Sequence, residues 1–166
     1  MKKITYADFV SFISIFFGFV SVLFSISSQL ENAAIFMVLA VVADFADGKI
    51  ARFLNCSSDM GKNIDSLSDL ISFGMAPAVF GYMIISSISY LLAAVLVFFL
   101  IACVYRLARW NISKSEGFYL GMPITLNGLI MPIEYFAGIA SPANLALTFI
   151  IVSVLMASAV RIKKFV

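Results

Sequence analysis

Apolar residues are concentrated in six stretches of the chain, each about 20 residues long, and short polar turns separate them. A helix of about 20 predominantly apolar residues is long enough to cross the ~30 Å hydrocarbon core of a bilayer. The pattern therefore predicts an all-α fold class, a polytopic bundle of six transmembrane helices, with residues 1–166 as a single domain. The predicted spans are residues 8–28, 33–53, 62–84, 89–109, 123–139 and 143–160.

The composition supports a membrane location. Of the 166 residues, 63% are hydrophobic and 12% are charged, and the mean hydropathy is +1.07. Soluble domains contain about 45–50% apolar residues. The chain is therefore predicted to be an integral membrane protein. Because six spans use most of its length, any chemistry has to lie on the helices and their short links.

The eleven Lys and Arg residues all fall on one predicted side of the membrane. They lie before the first span, around the ends of the second and fourth spans, and after the sixth span. The opposite turns, residues 28–32, 85–88 and 140–142, contain none. Because Lys and Arg collect on the cytoplasmic side, both termini are predicted to be cytoplasmic in a multi-pass protein of the cell membrane.

Four aspartates interrupt the second and third spans: Asp44, Asp47, Asp65 and Asp69. Each carboxylate at membrane depth costs about 2.5–3.5 kcal/mol on insertion scales, so such residues mark functional sites. Residues three or four apart share one face of a helix. Each pair therefore projects together, and two acidic faces on consecutive antiparallel helices can meet. The sequence predicts a cavity that opens to the cytoplasm and contains all four carboxylates.

Carboxylates that converge on one cavity repel one another unless cations intervene. Oxygen ligands favour hard ions such as Mg²⁺, Mn²⁺ or Ca²⁺, and two divalent ions would balance four aspartates and still attract a pyrophosphate. The chain contains no histidine, which is the commonest general base, so a carboxylate is the expected acid–base group. The cluster indicates metal-dependent phosphate chemistry.

The aspartates belong to a longer pattern, in which glycine, alanine and arginine also have fixed places: Asp44-x2-Asp47-Gly48-x2-Ala51-Arg52-x8-Gly61-x3-Asp65-x3-Asp69. This pattern resembles the signature of the CDP-alcohol phosphotransferases, and every fixed position of the signature is filled. Two further segments are similar to the phosphatidylserine synthase branch of that family, Ser72-Phe73-Gly74-Met75-Ala76-Pro77-Ala78 and Arg106-Leu107-Ala108-Arg109-Trp110-Asn111.

The resemblance implies a six-helix membrane enzyme that displaces CMP from a CDP-linked lipid with the hydroxyl of L-serine. It implies a divalent metal, Mg²⁺ or Mn²⁺, as two bound ions. The expected partners are the CDP-linked lipid, L-serine and membrane lipid, with no nucleic acid. Relatives often pair, so a homodimer is expected. The sequence leaves open whether the lipid chains are ester-linked or ether-linked.

The resemblance also implies roles for individual residues. Asp44, Asp47 and Asp65 would bind metal, and Asp69 would bind metal and deprotonate the attacking hydroxyl. A second set would serve the CDP moiety: Gly48 and Ala51 at the cytidine, Arg52 at a phosphate, and Gly61 in the turn before the third span.

Two arginines of the fourth span share one helical face at its cytoplasmic end. Arg106 and Arg109 are assigned to the lipid phosphate or to the carboxylate of serine, with ordinary positive-inside anchoring as the alternative. In the first span, Ser14 stands where relatives often have asparagine, which leaves a nucleotide contact at that position open.

Two other functions are compatible with the aspartates. The same fold could use another acceptor alcohol, such as glycerol 3-phosphate, inositol phosphate or an aminoalcohol. Alternatively, four aspartates could form the conduction site of a metal-ion channel or transporter. A channel would need polar groups across the outer half of the bundle, whereas residues 12–24 and 35–42 are mostly aliphatic and aromatic.

Overall fold

The computed structural model of the protein describes residues 6–53, 59–85, 90–112 and 118–163. Within helices and strands it describes the backbone alone for residues 6–10, 47–48, 50–53, 59, 118–120 and 161–163. The elements in chain order are α1 (Tyr6–Ile26), α2 (Leu30–Phe53), α3 (Asp59–Asp69), a π-helical segment (Leu70–Met75), α4 (Ala76–Ile85), α5 (Tyr90–Ile112), β1 (Phe118–Leu120), a 3₁₀ turn (Ile124–Leu126), α6 (Asn127–Phe136), α7 (Pro142–Ala157) and β2 (Arg161–Lys163).

The six predicted spans correspond to six helical rods in the described part of the chain. The third rod is continuous through α3, the π-helical segment and α4. Each observed boundary lies within four residues of the predicted one, which is close to the spread expected where helix ends fray. The prediction of a helical bundle is therefore confirmed for the described residues.

Two of these rods, Met60–Ile85 and Tyr90–Ile112, are long and apolar enough to cross a membrane by length and composition. Two shorter stretches are also apolar, Ser11–Ile26 within α1 and Pro142–Ala157, which is α7. The helix at the position of the fifth predicted span, α6, has 10 residues and is much shorter than that prediction. At 1.5 Å per residue it extends about 15 Å, which is half the hydrocarbon thickness.

A glycine explains why α6 ends early. Gly138 adopts a left-handed conformation with φ of 71°. Its N–H donates to the carbonyl of Tyr135, and the N–H of Ile139 donates to the carbonyl of Glu134. This pair of bonds is the Schellman motif, which closes a helix after its last turn.

Beside the helices, two short strands that the sequence did not predict pair in the structure. Strands β1 and β2 are antiparallel, with Tyr119 opposite Ile162. The ribbon continues in a bond from Gly121 N–H to the carbonyl of Val160, and Met122 N–H donates to the carbonyl of Leu155 in the last turn of α7. It therefore joins the α5–α6 link to the segment after α7, on one side of the bundle.

Helices α1 and α2 pack closely along a face of small residues. Ala33, Ala34 and Ala40 are fully buried on α2. From α1, Ser21 Oγ donates to the carbonyl of Ala33 at 2.8 Å, and Ser14 Oγ donates to the carbonyl of Ala40 at 3.3 Å. Small residues let helix backbones approach, and hydroxyls then bond across the interface.

The third rod is fixed to α1 on either side of Asp69. Ser68 Oγ donates to the carbonyl of Ser11, and Ser72 Oγ donates to the carbonyl of Ser14, both at 2.9 Å. At Gly18 an added Cβ would lie 2.6 Å from the Cα of Ser72. The two rods are thus in direct backbone contact where the third rod carries its acidic residues.

Gly18→Ala should lower the free energy of unfolding by about 1–3 kcal/mol, because an extra methyl in a closely packed interface forces the helices apart. The thermal midpoint of the purified protein in detergent would measure this loss. Ala94→Val, which adds bulk at an exposed position on α5, is the matched control and should leave the midpoint unchanged. Equal midpoints for Gly18→Ala and the unaltered protein would contradict the close contact.

Candidate active site

Three of the four predicted carboxylates meet. Asp44 comes from α2, and Asp65 and Asp69 come from one face of α3. One carboxylate oxygen of each lies within 4.8 Å of the other two. Asp47 lies on α2, but its side chain is outside the described part of the structure. The two acidic helix faces therefore converge as the spacing indicated.

The electrostatic surroundings of Asp69 come from three neighbours: the carboxylates of Asp44 and Asp65 and the guanidinium of Arg106. Oδ1 of Asp69 is buried and has no hydrogen-bond partner among the described residues. A buried carboxylate oxygen without a partner is costly, and a cation would remove that cost. With all three carboxyl groups ionised, three carboxylates and one guanidinium leave two negative charges, which one divalent ion balances.

The donor set fits a hard divalent cation. All three groups are oxygen donors, and oxygen ligands are those that Mg²⁺, Mn²⁺ and Ca²⁺ prefer. Asp44, Asp65 and Asp69 are half-buried, so a ligand can still reach them from one side. The arrangement can therefore hold a cation and present it to an anionic group.

Arg106 lies inside the bundle on α5, only 6% exposed. Its guanidinium carbon is 5.8 Å from the centre of the Trp110 ring, and its charge acts on Asp69. A buried arginine has to be paired with opposite charge, which the carboxylates supply. Arg106 is therefore more deeply buried than Arg109, which is partly exposed.

A sequence model of the CDP-alcohol phosphatidyltransferase family matches residues 4–164 of the chain. The chain belongs to this family. The family is membrane-bound, in agreement with the two long apolar helices, so the protein is a membrane protein. Family membership favours a transferase over the channel or transporter considered as an alternative.

Several relatives have names that describe an activity. Archaetidylserine synthase of Methanothermobacter thermautotrophicus is 36% identical over 96% of this chain and 72% of its own length. CDP-diacylglycerol–serine O-phosphatidyltransferase of Bacillus subtilis is 32% identical over 82% of this chain and 77% of its own length. The yeast protein of the same name is 32% identical over 89% of this chain. The chain spans 53% of that yeast relative.

In this family member, Arg109 has a different environment from the predicted one. Its guanidinium donates to the carbonyls of Met156, Ala157 and Ser158 at 2.9–3.2 Å. The last carbonyls of a helix lack partners and carry partial negative charge, so Arg109 caps α7. These bonds give no support to the predicted contact with a lipid phosphate or a serine carboxylate.

The cap on α7 also explains Gly121. This residue has a φ of 74°, and an added Cβ would lie 2.8 Å from Nη2 of Arg109 and 2.6 Å from the carbonyl oxygen of Met156. Glycine is therefore required on both conformational and steric grounds. Arg109 and Gly121 together tie the α5–α6 link to the end of α7.

The residues assigned to the CDP moiety are described only in part. Gly48, Ala51 and Arg52 lie on α2, where the structure describes only their backbone. Gly61 lies in the first turn of α3, which begins at Asp59. It is thus inside a helix rather than in the turn before one, because α3 starts three residues earlier than predicted.

A polar contact near the aspartates was not predicted. Ser66 Oγ donates to Oδ1 of Asn111 at 3.0 Å. These two residues and Asn63 form the polar end of a cavity of about 340 Å³ between α3 and α5. Asn111 belongs to the segment that resembles the phosphatidylserine synthase branch. That resemblance was the feature of the sequence that could have indicated a role for Asn111.

Arg109→Ala should lower the thermal midpoint, since the loss of three hydrogen bonds to a helix end costs about 1–3 kcal/mol. The affinity for Mn²⁺ should stay within twofold of the unaltered protein, because the guanidinium of Arg109 bonds to carbonyls at the end of α7. Arg109→Lys keeps the charge but not the fork of donors, and it should give an intermediate midpoint. An unchanged midpoint together with weaker binding of CDP-linked lipid would contradict the capping role and would support the predicted phosphate contact.

Proposed function

We propose that this protein transfers the phosphatidyl or archaetidyl group of a CDP-linked lipid to the hydroxyl of L-serine and releases CMP. The observation that carries the proposal is the convergence of Asp44, Asp65 and Asp69 within 4.8 Å. Family membership and the names of the relatives that match most of the chain support the same reaction. In this reaction a bond forms between the serine oxygen and the lipid-bound phosphorus, and the bond from that phosphorus to CMP breaks.

The three carboxylates, with Asp47 as a fourth ligand, would hold the divalent ions. A bound Mg²⁺ or Mn²⁺ would neutralise the charge of the diphosphate and of the departing CMP. Asp44 and Asp65 then serve as ligands and as the wall of the site.

Asp69 is the proposed general base. Its Oδ1 has no partner among the described residues and would accept the hydroxyl proton of serine as the oxygen attacks phosphorus. A positioned carboxylate can serve in this way provided that the hydroxyl lies within hydrogen-bond reach. A carboxylate is also the expected base in a chain without histidine.

Arg106 is proposed to hold the serine carboxylate or the lipid phosphate. It is the cation that acts on Asp69 among the described residues, so an anionic group bound beside Asp69 would also be beside Arg106. A phosphorylated acceptor would carry more negative charge to the same place. This balance favours serine over glycerol 3-phosphate or inositol phosphate as the acceptor.

The distribution of basic residues supports one orientation of the protein in the membrane. The basic residues near the acidic site would place that site, and both termini, at the cytoplasmic face of the cell membrane. The lipid would then reach the site from within the bilayer and serine from the cytoplasm. A homodimer is proposed from the behaviour of relatives, and sedimentation in detergent would test it.

Purified protein supplied with L-serine, Mg²⁺ or Mn²⁺, and either CDP-diacylglycerol or its ether-linked analogue should release CMP. Chelation of the metal should stop the reaction. Asp69→Asn should lower turnover by roughly 10²–10⁴-fold, the usual contribution of a general base, while CDP-lipid binding persists. Release of labelled CMP and incorporation of labelled serine are the measurements.

Glu134→Gln is the matched control, because it also neutralises a partly buried acid but lies on α6, bonded to Thr148. It should retain activity. No CMP release with serine from either lipid would overturn the proposed acceptor. Faster release with glycerol 3-phosphate, an inositol phosphate or an aminoalcohol would identify the rival acceptor.

A further inference from the structure

The π-helical segment begins directly after Asp69. Its wider turn is shown by the N–H of Ala76, which donates to the carbonyl of Ile71, five residues earlier. π turns are rare, and they occur mostly as single turns within α-helices at functional sites. The segment thus determines how the rod continues from its acidic turn into α4.

A proline accounts for the wide turn. In an α-helix the carbonyl of Phe73 would accept from the N–H four residues later, at Pro77, but proline has no N–H. The proline ring also collides with that carbonyl in a regular helix. The rod therefore has to widen here, and the Phe73 carbonyl needs a donor from elsewhere in the bundle.

Asn127 supplies that donor. It is the first residue of α6 and is fully buried, and its Nδ2 donates to the carbonyl of Phe73 at 3.2 Å. The next residue, Gly128, is in such close contact that an added Cβ would lie 2.7 Å from Cδ1 of Phe73. The start of α6 is therefore pressed against the π-helical segment.

The asparagine carries a cost of its own. Its Oδ1 is buried without a hydrogen-bond partner among the described residues, and a buried acceptor left unpaired costs about 1–3 kcal/mol. An apolar side chain of similar size would avoid that cost. However, an apolar side chain could not donate a hydrogen bond to the carbonyl of Phe73.

We propose that Asn127 is a positioning residue for the carboxylate cluster. By holding the Phe73 carbonyl, it fixes the wide turn that follows Asp69, while Ser68 and Ser72 hold the same stretch from the α1 side. The direction of the Asp69 carboxylate then depends on a residue that contacts no ligand. This inference rests on the proposed metal site.

Asn127→Leu tests the proposal, because leucine has a similar size and neither donor nor acceptor. The Kd for Mn²⁺, measured without substrate by electron paramagnetic resonance of the free ion, should rise about tenfold, the low end for residues that orient metal ligands. The kcat should fall and the KM for serine should stay within twofold. The thermal midpoint should change little, since the unpaired Oδ1 is also removed.

Met156→Leu is the matched control. It removes the sulfur that lies 3.5 Å from Nδ2 of Asn127 and keeps the apolar volume, so the Mn²⁺ affinity should not change. Pro77→Ala restores an N–H for the Phe73 carbonyl. In that background Asn127→Leu should weaken Mn²⁺ binding by less than twofold, which is a coupling that a merely structural role would not give.

The outcomes separate this inference from the function on which it rests. An unchanged Mn²⁺ Kd in Asn127→Leu, with Mn²⁺ bound by the unaltered protein and lost in Asp44→Asn, overturns the positioning role alone. Absence of Mn²⁺ binding by the unaltered protein overturns the metal site and the inference together. If Asn127→Leu does not fold, Asn127→Ser, whose shorter side chain cannot reach the carbonyl, replaces it in each comparison.

Discussion

The mutual repulsion of carboxylates inside an apolar bundle is the constraint on which the rest of the structure depends. Asp44, Asp65 and Asp69 lie within 4.8 Å of one another, and the low dielectric of their surroundings strengthens every interaction between charges. Like charges this close repel one another. The backbone has to hold them together, and cations have to compensate them.

The backbone does this through contacts that leave little freedom. Serine hydroxyls of the third rod bond to carbonyls of α1, and Gly18 brings the two backbones together. From α1, serines reach the carbonyls of α2, which carries Asp44. The three helices are therefore cross-linked by hydrogen bonds around the acidic residues. Association through small residues and hydroxyls is the means available where lipid removes the hydrophobic driving force between helices.

The sequence was informative wherever the signal is local. Span length predicted the six rods, and intervals of three and four residues predicted that Asp65 and Asp69 share a face and that Asp44 can meet them. The ribbon of β1 and β2 was missed because three residues are too few for an alternating pattern. Its partners are also far apart in the chain, and pairing over that distance leaves no trace in either segment alone.

The side-chain partners of Arg109 and Asn127 could not be predicted for a related reason. Arg109 donates to the backbone carbonyl of Met156, and Asn127 donates to that of Phe73. Because every residue has such a carbonyl, the sequence does not show which one accepts the bond. Pro77 does reveal that the Phe73 carbonyl lacks its helical donor. It does not reveal which helix supplies the replacement, because that depends on how α6 packs.

Two arginines one turn apart on α5 have different surroundings and therefore different roles. Arg106 and Arg109 share a helix face by spacing, yet the first is buried and acts on Asp69, and the second bonds to the end of α7. A second guanidinium acting on the carboxylates would leave the described cluster with one negative charge rather than two. Its attraction for a divalent cation would then fall. Because Arg109 is bound at the end of α7, the negative charge of the carboxylate cluster is not reduced further.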